Sequence, residues 1–158
     1  MKRSRRGQEV NSKADDDEPV NFVRRSSRDP SQTLLESSDI KHCLSKLRSN
    51  APVTQVFKLK DHVVSDLTPA IMDEILDALA RNTVCQALYI QNVSESLLER
   101  QFNKLIDILK MKRIWALNIG ENYNIKPAMW NNFCAAIPDM HLSHIYVSEH
   151  VITTKMKD

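Results

Sequence analysis

Five histidines, three cysteines and 20 carboxylates bound what this 158-residue chain could do chemically. Two His–carboxylate neighbours stand out, Asp61-His62 and Glu149-His150, with Glu121 on a comparable segment between them. A base beside an acid would suit proton transfer. Two imidazoles and a carboxylate would suit zinc. Neither arrangement closes. Sequence neighbours point apart in an extended chain, and the two histidines fall on segments three strand positions apart, roughly 14 Å at sheet spacing. His42 and His141 fall near element ends and read as surface residues. Cys43, Cys85 and Cys134 are odd in number, far apart and without CxxC spacing, so they read as reduced thiols. With only Gly7 and Gly120, no phosphate loop, dinucleotide fingerprint or nucleophile elbow can be written. The expectation is a non-enzyme with no cofactor and no metal.

Chemistry of recognition is better supplied. Lys58, Tyr89, Asn118, His144 and Tyr146 alternate with apolar residues in four short stretches, and Lys60 and Gln91 directly follow the first two. Those stretches are Thr54-Gln-Val-Phe57-Lys-Leu59, Cys85-Gln-Ala-Leu88-Tyr-Ile90, Ile114-Trp-Ala-Leu117-Asn-Ile119 and Leu142-Ser-His-Ile145-Tyr-Val147. Each closes on the apolar-x-apolar alternation of a half-buried strand. Phe57, Leu88, Leu117 and Ile145 are separated by 31, 29 and 28 residues, so the chain repeats itself.

Helical stripes fill the gaps: Ile71, Met72, Ile75, Leu76 and Leu79, then Phe102, Leu105, Ile106 and Leu109, then Met129, Trp130, Phe133 and Ile137. Thr68-Pro69 and Lys126-Pro127 put proline at a helix start, and Ser96-Leu-Leu-Glu99 has the spacing of a capping box. Trp130 belongs to its stripe, which argues for core packing over base stacking; Trp115 covers a neighbouring strand or the outer edge. Ahead of the repeats, Leu34, Leu35, Cys43, Leu44 and Leu47 predict a helix within 33–50, with Asp39 starting its second part and Ser49-Asn50-Ala51-Pro52 ending it. A strand–helix unit of about 30 residues cannot bury its own apolar face. Stacked units give a parallel sheet on one side and helices on the other.

This unit resembles the long, ribonuclease-inhibitor-like leucine-rich repeat, whose strand motif is LxxLxLxxN. Ile114, Leu117, Ile119 and Asn122 match it fully. The other units carry His62, Val93 and His150 at the asparagine position, with Asn92 one place early. The resemblance covers about residues 52–152, and the small strand–helix arrays of the tropomodulin kind are similar in repeat length and low leucine content. It implies an α/β fold: a short solenoid of about four units over 51–158, a capping helix over 33–50, and a bonded asparagine ladder kept at one position. Ile152 to Asp158 reads as the opening of a further helix, so either these residues suffice as a cap or the product is longer.

The outward residues of the strands then form the concave face: Val56, Lys58 and Lys60; Ala87, Tyr89 and Gln91; Ala116, Asn118 and Gly120; His144, Tyr146 and Ser148. Tyrosines offer rigid area with a polar tip, as interfaces use. The expected function is a non-catalytic module that binds another protein through this face. The polar loop row Asp61-His62, Gln91-Asn92, Glu121-Asn122-Tyr123 and Glu149-His150 is the competing rim.

Residues 1–32 contain no Leu or Ile and too little apolar surface to offset ordering, so they read as a disordered tail. Residues 1–30 hold eight basic and six acidic residues, leaving the remainder neutral within a net charge of +2. Lys2, Arg3, Arg5 and Arg6 form a basic cluster suited to nuclear import or nucleic-acid contact, which gives the alternative reading of a chromatin-associated adaptor. Ser26 and Ser27 follow Arg24-Arg25 as a candidate phosphorylation site. No run approaches the ~18 apolar residues of a membrane span, and no secretory signal is visible. The expected setting is intracellular, cytoplasmic or nuclear, with nucleic acid contacted only through the tail.

Overall fold

The computed structural model describes residues 37–64 and 66–147. The tail, including Lys2, Arg3, Arg5, Arg6, Ser26 and Ser27, lies outside them, as do Leu34, Leu35 and residues 148–158 with Ser148, Glu149 and His150.

Hydrophobic spacing turns into alternating elements. They are α1 (Ser38–Arg48), β1 (Val56–Lys58), a single turn α2 (Leu59–His62), α3 (Pro69–Arg81), β2 (Ala87–Tyr89), α4 (Glu99–Met111), β3 (Ala116–Asn118), α5 (Pro127–Ala136) and β4 (His144–Tyr146). The strands form one parallel sheet in the order β1-β2-β3-β4. Phe57, Leu88, Leu117 and Ile145 pair in register, so the 31-, 29- and 28-residue spacings of the sequence are the spacings of the sheet.

Phe57, Leu88 and Leu117 are buried beneath the helices. One apolar cluster joins them to Ile40 and Leu47 of α1, Ile71 and Leu76 of α3, Phe102 and Leu109 of α4, and Phe133 of α5. Trp130 packs edge-on to Phe133 at 5.4 Å and to Phe102 at 6.2 Å, as its stripe predicts. Each such side chain contributes about 1.5–3 kcal/mol by leaving water. Along the outer helix face, Lys104 reaches Asp77 at 2.9 Å and Asp73 at 3.6 Å, and Arg48 pairs with Glu74 at 3.0 Å. Exposed pairs such as Arg48–Glu74 add no more than about 1 kcal/mol.

The helix starts follow local chemistry. The Thr68 hydroxyl accepts from the Ile71 N–H at 3.3 Å with Pro69 at the first helical position, and Pro127 repeats that device in α5. Asp39 sits in the first turn of α1, where its carboxylate accepts from Ile40 N–H at 2.9 Å and from Val64 N–H at 2.8 Å. Asn50 ends that stretch in the left-handed region, φ 55°.

Three expectations need correction. Ser96 and Glu99 do not form a capping box: the Ser96 hydroxyl donates to Val93 C=O at 2.9 Å inside a turn, and the residue before α4 is Leu98, which has no side-chain cap. The strands are three residues long, because Thr54 belongs to a 3-10 turn (Pro52–Thr54) and Leu59 opens α2. Lys60 therefore stands on α2, off the strand. Ala87 and Ala116 are buried although they lie on the open face, being small residues in the row between Val56 and His144. Among the described residues no helix is long and apolar enough to cross a membrane.

Candidate functional site on the open sheet face

Sheet register builds one row from four units: Lys58, Tyr89, Asn118 and Tyr146 stand side by side on the face away from the helices. Adjacent strands set the steps at about 5 Å. The Lys58 ammonium lies 5.5 Å from the centre of the Tyr89 ring, a cation–π contact worth about 0.5–1 kcal/mol where water reaches it. Asn118 donates to Gln91 Oε1 at 2.8 Å, and its own Oδ1 accepts from Gly120 N–H at 3.0 Å, so the amide is held in one orientation. Lys58, Lys60, Asp61, Tyr89, Gln91 and Asn118 surround a shallow cavity of about 240 Å³. Five of the seven expected face residues are thus brought together. Tyr146 continues the row beyond Asn118, exposed. His144 lies in the other row, edge-on to the Trp115 ring at 5.5 Å and 3.1 Å from the Ser143 hydroxyl.

Of the competing rim, Asn92 and Tyr123 line a larger groove of about 980 Å³ at the strand-to-helix loops, while Asp61, His62, Gln91, Glu121 and Asn122 do not, and Glu149 and His150 lie outside the described residues. Lys60, Asp66, Asn92, Ser94, Tyr123 and Asn124 are among the groove's walls, and Lys60 is common to both sites. Tyr123 N–H donates to the Ser94 hydroxyl at 2.8 Å, which fixes neighbouring loops to each other.

Of the two His–carboxylate neighbours, Asp61-His62 falls within the described residues and Glu149-His150 outside them. His62 stacks flat on Phe57, ring centres 5.1 Å apart. Burial pushes its pKa below the usual 6.5, with Lys46 and His42 acting the same way and Asp61 opposing. Among the described residues no three His, Cys, Asp or Glu side chains gather where they could hold a metal ion. Cys43, Cys85 and Cys134 are unpaired; burial pushes the Cys43 thiol up to about 12 and the Cys85 thiol up to about 11, far from a reactive thiolate.

Asn122 joins the second and third units through their backbones. It is buried, donates to Ile90 C=O at 2.7 Å and Ile119 C=O at 3.0 Å, and accepts from Val93 N–H at 2.7 Å. Asn92 serves differently. It takes φ 51°, and Glu121, its counterpart one unit on, takes φ 59°. Asparagine suits a left-handed turn, while Val93 occupies the motif position itself.

Sequence reasoning missed Asn82. It is buried at the end of α3, donates to Leu47 C=O at 2.8 Å and to the Thr54 hydroxyl at 3.1 Å, and accepts from Val84 and Cys85 N–H. The one available signal was Thr54, a polar residue standing where the other units carry Cys85, Ile114 and Leu142. Lys112, one unit later, donates its ammonium to Asn82 C=O, and burial lowers its pKa. No known protein-family model matches the chain, and no curated protein matches it either.

Proposed function

We propose that this chain is a short leucine-rich-repeat-like solenoid, with α1 as its N-terminal cap, that acts as a non-catalytic module binding another protein through the open sheet face. The observation that carries this reading is the in-register row Lys58, Tyr89, Asn118 and Tyr146, with its cavity of about 240 Å³. The row supplies two rigid aromatic anchors and the Asn118 amide held by Gln91, and tyrosine is a residue type that interfaces favour over bulk surface. The fixed Asn118 amide supports it further, because a group already held in one orientation loses little entropy on binding. Lys58 and Lys60 give one end of the row a positive character, which suits a partner segment with carboxylates at that end. Free, buried Cys43 and Cys85 are compatible with a reducing compartment and support an intracellular setting.

The test is a pull-down with the intact chain, followed by titration of the captured partner against variants. Replacing Tyr89 and Tyr146 together with alanine is expected to weaken binding by about 2 kcal/mol, roughly 30-fold, with circular dichroism unchanged. A folded double variant that binds normally, beside a Glu121→Ala, Glu149→Ala variant that does not, would move the site to the rim.

A further inference from the structure

The two edges of the sheet differ. β1 carries Lys58, and Pro52 and Lys60 flank it, residue types that discourage edge pairing. β4 carries none of these. Residues 127–147, covering α5 and β4, hold one formally charged side chain, Asp139, in a chain that is 27% charged. That residue is itself exposed, 3.9 Å from Lys110 across to α4. Depletion of charge on this scale marks the centre of an interface more than a solvated end.

Among the described residues no strand lies beyond β4. His144 N–H donates to Trp115 C=O at 3.1 Å, and Tyr146 C=O accepts from Ile119 N–H at 3.0 Å, so these two residues bond back to β3. Alternation turns the peptide groups of Ile145 and Val147 to the open edge. In the inner units the counterparts of Val147 are Ile90 and Ile119. Both donate to the following strand, to Asn118 C=O at 2.8 Å and Tyr146 C=O at 3.0 Å. Side chains repeat the pattern. Ile145 is 36% exposed where Phe57, Leu88 and Leu117 are at most 2%, and Tyr146 and Val147 are 59% and 40% exposed.

We propose that β4 is a self-association site, at which two copies of this chain pair antiparallel about a two-fold axis at Tyr146. In that register Ile145 lies opposite Val147 of the second copy, and Val147 opposite its Ile145. Each such pair exchanges two N–H···O=C bonds, so all four outward peptide groups of the two edges are satisfied. The two tyrosines face each other on the open side, and the four aliphatic side chains meet on the helix side. A second copy fits this edge because β4 itself carries no formal charge and meets its own copy without repulsion along the strand, and because one two-fold contact satisfies the outward donors and acceptors of Ile145 and Val147 at once. The pairing makes one eight-stranded sheet, which doubles the row that begins at Lys58. Tyr146 belongs to both that row and this contact, but the association itself requires no partner on the row.

Sedimentation velocity on the full chain, from about 5 to about 500 µM, should record a monomer–dimer equilibrium. Val147→Lys sets a lysine opposite an isoleucine twice per dimer and should weaken association at least about 30-fold with an unchanged circular dichroism spectrum. Val56→Lys, on the opposite edge, should leave it within about twofold. Amide exchange on the unaltered chain reads the same contact without a variant: Ile145 and Val147 N–H should gain protection as concentration rises. A monomer at every concentration overturns the proposal, whatever covers the edge. So does a dimer that Val147→Lys leaves intact, or exchange at Ile145 and Val147 that ignores concentration.

Discussion

Removing the Asn122 amide should destabilise the fold by about 2–4 kcal/mol. The side chain is buried and serves three backbone groups, Val93 N–H, Ile90 C=O and Ile119 C=O, at 2.7, 2.7 and 3.0 Å. Alanine at this position strands all three. A buried polar group left unpaired costs about 1–3 kcal/mol, and carbonyls tolerate the loss better than an N–H. Water entering the vacated space recovers part of this, which sets the range. For a folded unit of about 110 residues the loss corresponds to a fall in melting temperature of roughly 9–17 °C. Urea unfolding followed by far-ultraviolet circular dichroism and by Trp115 and Trp130 fluorescence gives the midpoint and slope from two regions of the fold. Asn122→Asp sharpens the test. A carboxylate would keep the bond from Val93 but face two carbonyl oxygens, so its folded-state pKa must rise above the unfolded value. A raised pKa gives stability that is present at low pH and lost as pH rises, so this variant should recover stability between pH 7 and pH 5 relative to Asn122→Ala. A loss under about 1 kcal/mol for alanine, with the slope unchanged, would refute the claim that this side chain ties adjacent units.

Leu117→Ala empties a site at the centre of the sheet and should cost about 2–5 kcal/mol in the same urea assay; a loss below about 1 kcal/mol would contradict the register. Burial holds the folded His62 below its ordinary pKa of 6.5. The folded state therefore binds fewer protons than the unfolded chain as pH falls below 6.5, and stability from this residue, full above that value, is lost on acidification. Melting temperatures between pH 8 and pH 5 should fall less for His62→Gln than for the unaltered chain; parallel curves would show that the stacked ring does not titrate differently on folding.

The period of the sheet was legible because it rests on hydrophobicity alone. Phe57, Leu88, Leu117 and Ile145 are the residues that the sheet pairs. The helices at Pro69 and Pro127 were legible because proline and a preceding extended residue act locally. Ser96 misled because its spacing to Glu99 satisfies a helix-cap pattern while its hydroxyl is taken by Val93 C=O in the preceding turn. The ends of the strands were not legible, since Leu59 is buried equally well as the last residue of a strand or the first of a helical turn. Of the face residues, Tyr89, Gln91 and Asn118 followed from the register, but Lys60 reaches the same cavity from α2, which no alternation pattern encodes.

What holds successive units together explains why the units share so few residues. A strand-to-helix loop buries backbone groups that must be bonded, and any side chain with the right reach can do it. Asn122 does so between the second and third units, at the position the motif reserves for it. On the opposite end of the strands, Asn82 bonds Leu47 C=O and Thr54 across the first junction, and Lys112 bonds Asn82 C=O across the next. At the motif position of the first unit stands His62, which stacks on Phe57 and fills space with an aromatic ring. The junctions therefore share a physical requirement and differ in the residue that meets it. A search for repeated letters sees one match in four units, while the backbone sees an in-register sheet throughout. The same logic separates the two ends of the array: β2 and β3 bond a strand on both sides, while among the described residues β4 bonds one on one side only, with Ile145, Tyr146 and Val147 exposed.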